Sequence, residues 1–222
     1  MNMVIATWNV ERLKHKTELD AIIRECEQPQ ADILVLTETD EQVRPAYRYC
    51  FQTPRLEENQ SCYYKVTEKR VSIFTNYPCV RRHPTYDPYT AICVELETER
   101  GNLLVYGTII GIFGNRHPSF QPDLLNQVED FQRLAAGGAS LCICGDYNCS
   151  FSDNYYYTKA GRDALLQSFE ENRMRLLTES QPWCIDHIAV SAYFVEGCDI
   201  QVQEWNLDRT LSDHKGIAVR IS

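Results

Sequence analysis

The sequence predicts an α/β protein in which helices cover β-sheets, and three observations predict it. Short apolar runs rich in β-branched and aromatic residues recur along the whole chain, helical periodicity is present in separate segments between them, and no Ser/Gly/Pro-rich linker interrupts the alternation. The expectation is therefore one domain over residues 1–222. In chain order, strands are expected at 4–8, 33–36, 71–74, 91–96, 103–110, 141–144, 185–190 and 217–221. Helices are expected at 17–26, where Leu19, Ile22, Ile23 and Cys26 share a face, at 122–135, where Leu124, Leu125, Val128, Phe131 and Leu134 do, and at 161–172. Thr17 with Asp20 three residues on reads as an N-cap of the first helix, and Gln121-Pro122 as the start of the second with proline in its first position.

Composition bounds the function classes. At 222 residues and 44% apolar content the chain can bury a sizeable core, and disorder is not the default. Its longest apolar stretch, 103–114, is interrupted by Tyr106 and Thr108 and is far shorter than the roughly 20 residues of a membrane helix. With no basic leader or cleavage site at the N-terminus, the expected location is the cytoplasm. Ten cysteines are spread without a dense framework or a paired C-x-x-C, so they read as reduced core residues, Cys142 and Cys144 sharing one strand face. A formal charge of −9 argues against a surface coated with basic residues, although an acidic metal site can still present a positive field to a phosphate.

Five acid-or-amide sites close strand-like runs. They are Trp8-Asn9, Glu38 after the run 31–37, Gly145-Asp146-Tyr147-Asn148, Ile185-Asp186-His187 and Leu211-Ser212-Asp213-His214. Carboxylates, carboxamides and one imidazole, with little Cys or Ser in a nucleophile setting, are the groups that hard-metal phosphoester chemistry requires. Asp146 and Asn148 are two apart in an extended segment and face one side, whereas His187 points away from Asp186 and reads as structural.

Taken with their flanks, Thr7-Trp8-Asn9-Val10, Leu36-Thr37-Glu38-Thr39, Gly145-Asp146-Tyr147-Asn148, Ile185-Asp186-His187-Ile188 and Ser212-Asp213-His214 resemble the endonuclease/exonuclease/phosphatase superfamily, in its order and across essentially the whole chain. That superfamily includes deoxyribonuclease-type and abasic-site endonucleases, tyrosyl-DNA phosphodiesterases, deadenylases, inositol-polyphosphate phosphatases and sphingomyelinases. The resemblance implies a four-layer α/β/β/α sandwich of two packed, mostly antiparallel sheets flanked by helices. It further implies a Mg²⁺-dependent phosphoesterase, with Mn²⁺ as a possible substitute, that hydrolyses a phosphodiester, with nucleic acid as the favoured substrate. Glu38, Asn9 and Asp213 would hold the metal, Asp146 and Asn148 would position the attacking water, and Asp186 would pair with His214 at the scissile phosphate.

Members often present Tyr or His where this chain has Thr108, with Tyr106 on the same strand face. Arg116 and His117 in the following loop are candidates for the missing donor. Tyr156, within Tyr155-Tyr156-Tyr157, and Trp205 are candidates for stacking on a base, and Arg81-Arg82-His83 with Tyr86 and Tyr89 reads as a basic, aromatic loop. Three other readings remain open at this point: a phosphatase or phosphodiesterase acting on a small molecule or lipid headgroup, a catalytically silent binding domain of the same fold, and a cysteine-rich redox or metal-binding protein.

Overall fold

A computed structural model describes residues 2–56 and 64–222. Among the described residues, twelve strands form two six-stranded sheets. The first contains β1 (Met3–Asn9), β2 (Ile33–Asp40), β3 (Tyr49–Gln52), β4 (Glu68–Thr75), β11 (Ile200–Trp205) and β12 (Gly216–Ile221), in the order β11-β12-β1-β2-β4-β3. The second contains β5 (Cys79–His83), β6 (Ala91–Thr98), β7 (Gly101–Ile109), β8 (Ser140–Asp146), β9 (Met174–Leu176) and β10 (Asp186–Ser191), in the order β5-β6-β7-β8-β10-β9. Each sheet has one parallel pair, β1 with β2 and β7 with β8, and its other pairs are antiparallel. A parallel pair needs a crossover, and a helix supplies each: α1 (Leu19–Glu27) joins β1 to β2, and α2 (Phe120–Ala135) joins β7 to β8. A third helix, α3 (Lys159–Glu171), follows β8.

The alternation of side chains along the central strands sets the layers. Met3, Ile5, Ile33, Val35, Val71 and Ile73 of the first sheet meet Val94, Leu103, Val105, Cys142, Cys144 and Ile188 of the second in one apolar layer between the sheets. The intervening residues face outward: Val4, Ala6, Trp8, Leu34 and Leu36 pack with Ile22 and Cys26 of α1, while Tyr106, Leu141 and Ile143 pack with Leu124 and Phe131 of α2 and Leu165 of α3. Helix, sheet, sheet and helices thus make four layers, as the resemblance implies. Strands buried on both faces read as continuous apolar runs, which is why the eight central strands were legible in the sequence.

Edges and helix starts differ from expectation. β3, β5, β9 and β11 are peripheral, short and partly exposed, so their mixed polarity carries no strand signal. Arg81-Arg82-His83 belongs to edge strand β5 rather than to a loop, where Arg81 Nε and His83 Nε2 lie 2.7 and 3.0 Å from the Glu95 carboxylate. Trp205 ends β11, buried edge-to-face against Trp8 at 6.0 Å between ring centroids, and is a core residue. Thr17 falls in a 3₁₀ turn ahead of α1, whose cap position is Glu18 with no side-chain cap. Ser119 holds the cap position of α2, putting Pro122 third in the helix, where a missing N–H leaves no intrahelical bond unmade. α3 is capped by Thr158, whose hydroxyl accepts from Gly161 N. None of the nine described cysteines is in a disulfide, and six are buried; Cys62 lies outside the described residues.

The two sheets share one strand pattern, with β1 and β2 placed in the first as β7 and β8 are in the second. Both parallel pairs direct their C-terminal ends to one edge of the sandwich. β8 leaves its pleat there through Gly145 at φ 143°, where a Cβ would lie 2.0 Å from the carbonyl oxygen of Thr108. Gly145→Ala is expected to lower unfolding stability by about 2–4 kcal/mol, read as a fall in the urea midpoint at unchanged slope. Glu95 supplies a pH-dependent contribution. Hydrogen bonds from Arg81, then His83, hold its carboxyl down at about 2. Its stabilisation is complete above the ordinary value of 4.5 and is lost as pH falls from there through 2. Glu95→Gln should therefore flatten the acid limb of the stability–pH curve between these limits, measured by denaturant melts.

Candidate active site

The five strand-end sites converge on that edge. Asn9 ends β1 opposite Thr37 of β2, Glu38 follows, and Asp146 at the end of β8 pairs directly with Asp186 at the start of β10. Asp213 and His214 come from the loop before β12. That loop is fixed from below: the Ser212 hydroxyl donates to Asn9 O at 2.6 Å and accepts from His214 N at 3.1 Å, Trp8 Nε1 donates to His214 O at 3.0 Å, and Asn206 Nδ2 donates to Ser212 O and His214 O. Buried Trp8 therefore helps set the height of the His214 backbone.

Asn9 links the two sheets. Its Nδ2 donates to Glu38 Oε1 at 3.2 Å and to Asp146 Oδ2 at 3.1 Å, while its Oδ1 accepts from Glu11 N at 2.9 Å. Of Asn9, expected beside Glu38 at the metal, the oxygen accepts from the backbone and the amide nitrogen orders two carboxylates. Glu38 has φ 44° inside β2, a conformation that non-glycine residues adopt at a cost of about 1–3 kcal/mol. Its neighbours Thr37 and Thr39 are fully buried whereas Glu38 is half-buried at the cleft.

His214 Nδ1 donates to Asp186 Oδ2 at 2.5 Å, and its Nε2 lies 3.7 Å from Asp213 Oδ1. Burial alone would lower the His214 pKa; the charges of Asp186, Asp146 and Asp213 and the hydrogen bond to Asp186 outweigh it and raise the pKa well above the usual imidazole range. Asp146 moves upward too, first because it is buried and then because Asp186 is beside it, with His214 and the hydrogen bond from Asn148 N pulling the other way. A buried carboxyl whose affinity for a proton is raised, next to a charged imidazole, is an acid–base arrangement. His187 lies on the far side of β10, bonded to Thr178 Oγ1 and Cys184 O, and burial pushes its pKa down to about 4, so the structural reading applies.

Other candidates land differently. Asn148 has φ 48° and lines the cleft, but its Nδ2 donates to Ile110 O and Gly111 O, so it anchors the β7–α2 loop. Thr108 is fully buried, with its hydroxyl donating to Gln127 Oε1 at 2.5 Å; it cannot touch a substrate. Tyr106 is likewise internal, donating to Asp130. Arg116 and His117 are exposed, line neither cavity beside the site, and His117 Nδ1 bonds Ser119 Oγ. Tyr156 does line the cleft. Sequence reasoning missed Glu11, Trp183 and Arg209. Glu11 accepts from Asp213 N at 3.1 Å and pairs with Lys14, which brings a third acidic group near Asp213; its position two residues after Asn9 was the available signal.

Two cavities flank the row. One of about 290 Å³ is lined by His214, Asp186, Asn148, Tyr156, Trp183 and Arg209; the other, about 180 Å³, lies beside Glu38 with Arg12, Tyr64, Arg70 and Phe113. The donors suit a hard divalent cation. Glu38, Glu11 and Asp213 offer carboxylate oxygens without thiolates, and buried Asp186 Oδ1 has no hydrogen-bond partner. Among the described residues, the group of three whose ligand atoms all lie within 4.8 Å of one another, close enough to hold one ion, is Asp146, Asp186 and His214.

Solved structures share this architecture at low identity. A 3′ phosphatase, NExo, from Neisseria bound to product DNA hairpin is 18% identical with a TM-score of 0.72, covering 99% of both chains. An AP endonuclease from Leishmania major is 14% identical with a TM-score of 0.70, covering 99% of this chain and 87% of the other. Truncated TDP2 from Caenorhabditis elegans is 12% identical with a TM-score of 0.69, covering 100% and 98%. No curated protein matches in sequence. The Endonuclease/Exonuclease/phosphatase family model matches residues 6–214, a span that contains all five strand-end sites, and the chain accordingly belongs to the endonuclease/exonuclease/phosphatase family of phosphoester hydrolases.

Proposed function

We propose that residues 1–222 act as one domain that hydrolyses a phosphodiester in nucleic acid by in-line attack of water, with a divalent cation. One observation carries this reading: Asp146 and the Asp186–His214 pair meet Glu38 across an Asn9 bridge at the floor of a cleft. Water bound beside Asp146 loses its proton to that carboxyl as its oxygen forms a bond to phosphorus, and the bond to the leaving oxygen breaks opposite it. Burial and the nearby Asp186 charge make Asp146 a better proton acceptor than an exposed aspartate. His214, held charged and oriented by Asp186, faces the non-bridging oxygens and stabilises the charge that develops on them. Asn148 keeps the β7–α2 loop against the site and offers its oxygen to the attacking water.

Mg²⁺ or Mn²⁺ held by Glu38 and Asp213, with Asn9 and Glu11 positioning those groups, would supply Lewis-acid neutralisation of phosphate charge. Nucleic acid is favoured by two features: the aromatic and cationic linings of both flanking cavities, and relatives that include an AP endonuclease and a phosphatase bound to DNA. No helix among the described residues is long and apolar enough to cross a membrane.

Purified protein incubated with single-stranded, nicked and abasic DNA, RNA and small phosphodiesters is expected to cleave a nucleic-acid substrate. His214→Ala and Asp146→Asn should each lower kcat by about 10²–10⁴-fold with the circular dichroism spectrum intact; full retention in either variant would refute the assigned roles. Excess EDTA should abolish turnover and added Mg²⁺ or Mn²⁺ restore it. Glu38→Gln should raise the metal concentration needed for half-maximal rate by about tenfold or more, read from a metal titration.

A further inference from the structure

The two sheets end together on one side of the sandwich, where hydrolytic chemistry uses nothing. β3 is terminal in the first sheet and β5 in the second. Arg82 of β5 lies over the ring of Phe51 of β3, with its guanidinium carbon 5.4 Å from the ring centre, so the two edges face each other. Between them runs a groove of about 500 Å³, larger than either cavity at the active site. Gln52 and Pro54 line one side, Arg82, Pro84 and Pro88 the other, and Ile92 brings the apolar layer between the sheets to its floor.

The edges of this groove select a polypeptide. β5 pairs with β6 from Cys79 to His83 and has no strand on its other side, which therefore offers main-chain N–H and C=O groups in alternation. An extended peptide matches that alternation, whereas a phosphodiester backbone presents acceptors alone. The prolines fix φ on both walls, so the apolar slot over Ile92 is largely preformed.

Charge then decides which polypeptide. The chain carries a formal charge of −9, yet this side presents arginines without acids. Arg82 and Arg48 are exposed, and neither guanidinium has a carboxylate partner among the described residues. Each rests instead on an aromatic ring of β3, Arg82 on Phe51 and Arg48 on Tyr49 at 5.2 Å, and the two rings stack at 6.4 Å between centroids. The neighbouring Glu95 is already engaged by Arg81 and His83. Arginines along an edge repel a second copy of that edge and so oppose self-pairing, while they attract a strand that bears carboxylates.

We propose that the groove between β3 and β5 is a docking surface for an extended acidic segment of a partner protein. The segment adds to β5 as a further strand, seats an apolar side chain against Ile92 and pairs carboxylates with Arg82 and Arg48. None of the groove residues lines the cleft at Asp146 and His214, so docking and hydrolysis are separate properties of the molecule.

The probe is a fluorescein-labelled peptide of alternating Glu and Val, about seven residues long to match one strand, with binding read by anisotropy. It is expected to bind at least about tenfold more tightly than a Lys–Val peptide, a Glu–Val peptide N-methylated at every second residue, or a single-stranded oligonucleotide of equal charge. N-methylation removes main-chain donors and keeps the side chains, which separates strand addition from charge attraction alone. Arg82→Glu and Arg48→Glu should each weaken binding by about tenfold, whereas Arg24→Glu, the same charge change on exposed α1, should leave it unchanged. In the wild-type protein the peptide should slow amide hydrogen exchange in Cys79–His83 and not in the other edge strand β11, a readout that does not depend on any variant folding. Arg82→Glu should retain hydrolysis, so a failed catalytic assay leaves this test standing. No binding of the Glu–Val peptide at about 1 mM, equal binding of the Lys–Val or N-methylated peptide, or an equal loss in Arg24→Glu overturns the proposal. Tighter binding of the oligonucleotide in this groove overturns it as well, in favour of nucleic acid.

Discussion

Asn9 sits where the two halves of the molecule meet. The apolar layer between the sheets can tolerate sliding, because hydrophobic contact has no direction. A carboxamide that donates at once to Glu38 of the first sheet and Asp146 of the second does have direction, and it is almost completely buried. With its oxygen on Glu11 N it also fixes the first turn after β1. Glu38, Asp146 and Glu11 consequently take their positions from one side chain, and the geometry of the cleft depends on it. The local dielectric makes these bonds stronger than they would be in water, and makes a missing partner correspondingly destabilising.

A second support works through the backbone. Trp8 precedes Asn9, packs on Trp205 and donates to His214 O, while Gly216 begins β12 so close to Trp205 that a Cβ there would lie 1.9 Å from the ring. Core packing therefore reaches to within two residues of the imidazole. Local strain accompanies it: Glu38 and Asn148, one at each side of the cleft floor, both have positive φ. Such conformations persist only where surrounding contacts outweigh their cost, and here those contacts are the strand ladder around Glu38 and the two carbonyls that hold the Asn148 amide. The site is preorganised by the same interactions that close the sandwich.

Burial gives the acid groups their different tasks. Asp146 and Asp186 are directly opposed across β8 and β10, so two carboxyls compete for one desolvated space. His214 relieves that competition by bonding Asp186, leaving Asp146 to carry an increased affinity for a proton. Asp213, mostly exposed beside them, lies 3.7 Å from His214 Nε2.

The central strands were legible because residues buried on both faces are apolar in unbroken runs, and each chemical group terminating such a run stood out against it, as Glu38, Asp146 and Asp186 do. Order along the chain then tied those strand ends to one family. Edge strands β3, β5, β9 and β11 gave no such contrast, since half-exposed segments keep the polar composition of loops. Thr108 and Trp205 carried side chains that suit a binding site, but burial placed both in the interior. Trp183 and Arg209 had no strand pattern to mark them, being loop residues whose partner Tyr155 is far away in sequence. Residue type and periodicity are local properties, so the chain by itself determined its layers, its central strands and the chemical groups at their ends. Which amide nitrogen meets which carboxylate, which way the Asn9 oxygen turns, and which loops wall the cleft depend on contacts spanning up to about two hundred residues, such as Ser212 to Asn9, and only the packed sandwich decided them.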